Sequence, residues 1–171
     1  MAERAFEIRI HTHSLSLVQE PERVRLAKRG EIIHRALALL DHCSSREDME
    51  QAMLKAFALE GVAQARWDIE KDFLDPLWAA LSLTEVRPWF ARGVRSLREV
   101  EVMDAEGELL RIDRLIIGTD VLEVIDFKMA MRTEGHRAQV EVYRRLVEAV
   151  FHLPAKGYLL YVDEPAVVAL P

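Results

Sequence analysis

Two carboxylates and a lysine stand in stretches that are otherwise apolar. Asp126 and Lys128 lie in Glu123-Val124-Ile125-Asp126-Phe127-Lys128, and Asp113 lies in Arg111-Ile112-Asp113-Arg114-Leu115-Ile116-Ile117. Residues two apart on a strand leave from the same face, so Asp126 and Lys128 share one. Charges buried among such neighbours are costly unless they are paired or used. The connection between the two strands decides whether the aspartates meet. A two-residue Gly118-Thr119 turn pairs 117 with 120, sets 113 opposite 124 and leaves Asp126 as its diagonal neighbour on the same face. A four-residue loop sets 113 opposite 126, and a three-residue loop separates their faces. Two of the three simple registers therefore bring the carboxylates together. Two carboxylates in a partly dry place need a proton or a cation between them. Oxygen donors suit magnesium or manganese, with the Phe127 backbone carbonyl as a further ligand. Lys128 is placed to hold an attacking water or to neutralise a phosphorane-like transition state. Taken alone, an Asp-x-Lys on a strand more often closes a sheet edge as a salt bridge.

These residues need strands to hold them and helices to cover the strands. Residues 99–103, 109–117 and 121–128 read as three antiparallel strands, with turns at 104–107 and 118–120. Residues 134–151 read as a helix, and 158–162 as a final buried strand. Upstream the pattern is helical. Glu20-Pro21-Glu22 marks a turn or a helix start. Gly30 is expected to interrupt, and residues 31–40 form a helix with Ile33, Ala36, Leu37 and Leu40 in period. Ser44 and Glu47 have capping-box spacing for a second helix, whose apolar stripe is Met49, Ala52, Met53, Ala56 and Phe57 and which Gly61 stops. Residues 67–83 read as helix broken near Asp75-Pro76, and Pro88-Trp89-Phe90 as a short helix. Residues 5–17 alternate weakly, as a strand or an extended lead-in. The fold class is α/β, with a central mixed sheet carrying antiparallel hairpin strands and flanked by helices.

Three further features follow the same order along the chain. Gly30 and His34 stand four apart at the first core helix, and Gln139 and Tyr143 stand four apart on one face of the late helix. Together with Asp113 and Asp126-x-Lys128, this resembles the RecB/AddA-type nuclease domain of the PD-(D/E)xK superfamily, which shows Gly-x-x-x-His, a strand Asp, Asp-x-Lys and Gln-x-x-x-Tyr in that order. The resemblance spans roughly residues 23 to 162. It implies a restriction-endonuclease-like core and a DNA nuclease using Mg2+ or Mn2+. His34, Asp113 and Asp126 would be metal ligands, and Lys128 would serve the water and the scissile phosphate. Gln139 and Tyr143 would shape the site and touch the DNA strand. It further implies cleavage leaving a 5′-phosphate and a role in repair or recombination. Such domains often lie at the C-terminus of UvrD-like helicases, so a helicase motor domain or subunit is an expected partner. No Gly-x-x-x-x-Gly-Lys-Ser/Thr phosphate loop occurs in this chain, so it is expected to be an excised domain or a stand-alone relative. Residues 1–22 are expected to be a lead-in and 23–171 the nuclease domain. A module that keeps this fold for DNA binding or subunit docking, without turnover, is the alternative.

Composition bounds the rest. The chain has 171 residues and a net charge of -6, which argues against a general nucleic-acid coat and not against one local DNA groove. Its one cysteine, Cys43, excludes an intrachain disulfide, a four-thiolate zinc site and an iron–sulfur cluster built from this chain alone. A reduced, cytoplasmic protein with a buried thiol is expected, with no membrane segment. Glu99 lies where related domains often carry a Glu before the Asp strand and could support the site from a neighbouring strand, but a solvated strand face is the expected reading. Glu31 is a weak candidate for reaching the metal. His11 and His13 have the spacing of a barrel metal site, but such a barrel needs about 250 residues. His42 and His136 are expected at the surface. Arg23, Arg25, Lys28 and Arg29, and Arg132, Arg137, Arg144 and Arg145, are basic clusters that either flank the cleft or face solvent.

Overall fold

The computed structural model describes residues 20–104, 107–129 and 133–170. The lead-in at residues 5–17, with His11 and His13, lies outside them, as does Arg132. Among the described residues, four α-helices and five strands follow in the order α1 (Glu20–Leu39), α2 (Arg46–Leu59), α3 (Asp75–Leu81), β1 (Ser96–Met103), β2 (Leu109–Ile117), β3 (Leu122–Lys128), α4 (Glu134–Phe151), β4 (Ala155–Tyr161) and β5 (Ala166–Ala169). Among the described residues no helix is long and apolar enough to cross a membrane.

The strands form one sheet in chain order. β1, β2 and β3 are antiparallel, β4 joins β3 in parallel after the α4 crossover, and β5 returns antiparallel to β4. β5 was not expected. It is four residues long and partly buried, too short for its alternation to stand out. Two apolar layers cover the sheet. Helices α1 to α3 pack Ile33, Leu37, Met53 and Phe57 against Ile116, Ile125 and Phe127 on one face. On the other, Val140, Tyr143 and Val147 of α4 pack against Leu115, Val124 and Leu159. This is the expected α/β arrangement, and it is consistent with a restriction-endonuclease-like core. Gly157 lets α4 approach, because a Cβ there would meet Val140 Cγ1 at 2.7 Å.

Several local expectations are corrected. Gly30 does not interrupt: α1 runs through it, and a glycine costs a helix interior only about 1 kcal/mol. The cap of α2 is Ser45, not Ser44. Its hydroxyl accepts from Asp48 N at 3.3 Å, while the Asp48 carboxylate accepts from Ser44 N and Ser45 N, so aspartate fills the role expected of Glu47 one residue later. All five stripe residues of α2 are buried. Gly61, at φ +62°, follows the last turn, with Gly61 N–H donating to Ala58 and Val62 N–H to Phe57. The break near Asp75-Pro76 is a π-helical turn, Glu70–Leu74, leading into α3. Pro76 has no N–H to give the Asp72 carbonyl, which instead accepts from Arg29 Nε at 2.6 Å.

Arg114 ties the end of α1 to the sheet. It is fully buried, it donates to the Leu40 and Asp41 carbonyls at the end of α1 at 2.8 and 2.9 Å, and it lies 4.2 Å over the Phe90 ring. Burial holds its guanidinium below its ordinary value, at about 10. One side chain thus caps the helix that carries His34 from the strand that carries Asp113.

Candidate active site

The β2–β3 connection sets the site. Ile117 pairs with Leu122, so the loop has four residues, and Arg114 pairs with Ile125. Among the registers weighed from sequence, this is the one that brings Asp113 level with Asp126. The regular ladder stops at that pair. Asp113 Oδ2 then accepts from the Phe127 backbone N–H at 2.8 Å, replacing a ladder carbonyl with a carboxylate.

The alternation of β2 also slips here. Leu110 and Ile112 belong to the α4-side layer, and so do Leu115 and Ile117, which a strict two-residue period cannot do. The partner strand slips at the same level. Arg98 pairs with Arg114 and Val100 with Ile112, and Glu99 between them has φ +48°, a backbone conformation that side chains other than glycine rarely adopt. The result turns Asp113 toward α1, where its Oδ1 lies 3.3 Å from His34 Nδ1.

Asp126 stays on the α4 side and is 2% exposed. Lys128 Nζ stands 2.6 Å from its Oδ2. Among the described residues this ion pair is the one contact that Oδ2 makes; the atom is buried and no other group donates to it. The lysine's directed hydrogen bond goes to Gln139 Oε1 at 2.9 Å, and Gln139 Nε2 donates to the Tyr143 hydroxyl at 2.6 Å. Burial first, then the neighbouring Asp113, push the Asp126 carboxyl up to about 6, with Lys128 and His34 pulling it down. Burial likewise raises the Tyr143 hydroxyl.

His34, Asp113, Asp126, Lys128, Gln139 and Tyr143 are thus gathered at one end of the β2–β3 ladder. Tyr143 is 3% exposed and sits in the α4 layer, so it holds Gln139 from below, and Gln139 is the member of that pair open to solvent. Two residues missed from sequence join them. His136, expected at the surface, is half-buried with Nδ1 3.2 Å from the Tyr161 hydroxyl, and burial followed by Lys128 lowers its pKa. Tyr161 stands level with Lys128 across the parallel β3–β4 pair. The spacing of His136 and Gln139, three apart on one helix face, is the signal that would have found the first. Tyr161 is placed only by the parallel register.

Other candidates fall away. Glu31 engages Lys28 at 2.8 Å. Cys43 is half-buried, donates to the Ser45 carbonyl, and has its thiol pushed up to about 11 by burial. Most of the basic clusters are neutralised locally: Arg25 by Asp72, Lys28 by Glu31 and Glu60, Arg29 by Asp163, and Arg144 and Arg145 by Glu141. Glu99 is not on a solvated face. It is held by Arg35 and Arg111 and lines a cleft with His34.

The sequence pattern of the PD-(D/E)XK nuclease superfamily matches residues 9–169. The chain belongs to that superfamily. No curated protein matches it. PD-(D/E)XK proteins are typically nucleases that use divalent metals, so the donors must be tested for one. Two aspartates, an imidazole and the Phe127 carbonyl are right in kind for a hard divalent ion. The buried Asp126 Oδ2 without a hydrogen bond is the atom such an ion would satisfy. Among the described residues, however, no three His, Cys, Asp or Glu side chains are gathered tightly enough to hold an ion as they stand. His34 is engaged with Asp113, and Lys128 stands against Asp126. The donor chemistry fits a divalent ion, and for one to reach Asp126 Oδ2 the Lys128 ammonium would have to move away.

Proposed function

We propose that this PD-(D/E)XK domain is a divalent-metal-dependent deoxyribonuclease of the RecB/AddA type, acting in DNA end processing. The observation that carries the reading is the buried Asp126 Oδ2, whose one contact is the ion pair with Lys128 Nζ at 2.6 Å, with the Asp113 carboxylate near enough to push the Asp126 carboxyl up. His34, Asp113, Asp126 and the Phe127 carbonyl would hold magnesium or manganese. That ion supplies Lewis-acid stabilisation of charge on the phosphate and lowers the pKa of water.

The chain's own residues do the rest. Lys128, steadied by Gln139 on Tyr143, donates to a non-bridging phosphate oxygen as negative charge builds there. Water oxygen bonds to phosphorus in line and gives up a proton to solvent, the bond to the 3′ oxygen breaks, and that oxygen takes up a proton from solvent, leaving a 5′-phosphate and a 3′-hydroxyl. Asp113 is oriented by the Phe127 N–H, which keeps its other oxygen toward His34. The nuclease unit is taken as residues 23–171 after a lead-in, and a helicase motor is the expected partner.

The test is cleavage of end-labelled single- and double-stranded DNA with manganese or with EDTA. Lys128→Ala is expected to lose about 10²- to 10³-fold in rate, in line with removal of one donor to developing charge. Gln139→Ala should lose less, because it acts through the lysine. Undiminished cleavage by Lys128→Ala would sink the assignment. The Lys128 contact with Asp126 favours a second reading, a silent module closed by an internal ion pair. That module would show no manganese binding by calorimetry, whereas the nuclease would.

A further inference from the structure

We infer that Arg35 and Arg111 form a phosphate-binding subsite for the DNA strand beside the scissile position, with Glu99 holding it closed in the free protein. This deepens the nuclease reading and rests on it. A cleft of about 450 Å³ opens next to His34, lined among others by Gly30, His34, Arg35, Glu60, Glu99 and Arg111. Its two guanidiniums come from different elements, each next to the site. Arg35 follows His34 on α1, and Arg111 precedes Asp113 by two on β2. One carboxylate bridges them: Glu99 Oε2 is 3.0 Å from Arg35 Nη1, and Oε1 is 3.5 Å from Arg111 Nη1.

That arrangement is an anion site occupied by a side chain. The two oxygens of Glu99 stand where two oxygens of a phosphodiester would accept from the same two arginines, and guanidinium forks suit phosphate as well as carboxylate. The backbone supports the reading. Glu99 has φ +48° within a strand, a conformation of the kind that accumulates at ligand clamps and switches. It also sits level with Asp113 at the slip described above. Both contacts are partly exposed, with Arg111 half open to solvent, so exchanging Glu99 for a phosphate breaks only weak, screened pairs. Arg35 keeps a second acid, Glu60, at 3.2 Å, which fixes its position when Glu99 leaves. Among the described residues Arg111 has Glu99 as its one ion-pair partner, so it is the more available cation. The cleft lining carries three carboxylates, Glu31, Glu60 and Glu99, beside its two guanidiniums, so the cationic contact is local: Arg35 is next to His34, Arg111 is two residues from Asp113, and both are freed for a phosphate when Glu99 leaves.

The experiment measures binding of a short fluorescein-labelled single-stranded oligonucleotide by anisotropy in EDTA, over a range of salt, for wild type, Arg111→Gln, Arg35→Gln and Glu99→Gln. Arg111→Gln and Arg35→Gln are expected to weaken binding about fivefold. Each should reduce the slope of log K against log salt by about 0.7, one lost phosphate contact on a single strand. Glu99→Gln is expected to tighten binding by a similar factor, because the competing anion is gone. In manganese, Arg111→Gln should raise KM and leave kcat nearly unchanged. Arg111→Lys, which keeps the charge and loses the guanidinium fork, should recover most of the salt slope and guards against a folding artefact. Wild type that binds in EDTA with no change in Arg111→Gln or Glu99→Gln overturns the subsite and leaves the nuclease reading standing. Wild type that neither binds nor cleaves DNA overturns both. Tightening by Glu99→Gln that disappears in an Arg111→Gln background is the outcome specific to the subsite, because loss of a nearby carboxylate eases repulsion of DNA whether or not Arg111 is present.

Discussion

Asp126 lies in a conflict that its neighbours only partly relieve. Its carboxyl is held up at about 6 against an ordinary 3.8, by burial and by Asp113, with Lys128 opposing. In metal-free protein, between about pH 4 and pH 6, the folded state therefore keeps a proton that the unfolded state has released. Its stability is fully present below that window, falls as pH rises through it, and is level above it. Urea midpoints across the window should show this decline in EDTA, and Asp126→Asn should flatten it. Glu47, Asp48, Glu60 and Glu141, held below their ordinary values, add a rise of their own at the low end, so the comparison is wild type minus Asp126→Asn, and a difference that rises with pH would mean that Lys128 outweighs burial. Much of this residue-level picture was legible beforehand. Asp126, Lys128 and Asp113 announce themselves as charges in apolar strands, and period-two spacing puts the first two on one face. What strand periodicity cannot supply is the slip at Glu99 and Asp113, because it depends on one backbone angle. Nor does spacing reveal that Tyr143 is buried beneath Gln139, since a helix face is named before its depth is known.

At the scale of elements, two glycines make opposite demands. Gly30 lies inside α1 and lines the cleft, and a Cβ there would meet only Met129 Cγ at 3.5 Å, an ordinary contact. Gly157 lies in β4 under α4, and a Cβ there would enter Val140 at 2.7 Å. Gly30→Ala should therefore stabilise the fold by about 0.5–1 kcal/mol through helix propensity. Gly157→Ala should destabilise it by about 1–3 kcal/mol through overpacking. Chemical denaturation of the pair checks both, and destabilisation by Gly30→Ala would show that α1 is more tightly seated at Met129 than its spacing indicates. If the cleft takes DNA, Gly30→Ala should also raise KM for cleavage while the fold gains stability. The interrupting role expected of Gly30 failed for a related reason. Propensity alone weakens a helix, but Ile32, Ile33, Ala36 and Leu37 bury one whole stripe of α1, and tertiary packing carries the helix across the glycine. The capping box of α2 slipped by one residue because Ser44-Ser45 and Glu47-Asp48 offer two overlapping versions of the same spacing. β5 and the π-turn left no readable period at all.

For the whole molecule, the sheet is a wall between two covered faces, and the site lies at its end, where both layers are within reach. His34 reaches it from the α1 layer, Gln139 and Tyr143 from the α4 layer, and Arg114 pins the end of α1 to β2. A ligand that joins His34 and Asp113 to Asp126 therefore bridges both layers and should stabilise the protein as one unit. It also relieves the acidic balance, since the chain carries -6 before any cation binds. A divalent ion that binds the folded state alone adds about 2.7 kcal/mol at one hundred times its dissociation constant. Manganese should accordingly raise the melting temperature in proportion to the logarithm of its concentration, with a single transition. The effect should weaken below about pH 6, where a proton competes for Asp126. Asp126→Asn should lose this response while keeping the fold, and sodium chloride at matched ionic strength should not reproduce it. A wild-type melting temperature indifferent to manganese would leave Lys128 as the permanent partner of Asp126, and the site as an ion pair in a nuclease fold.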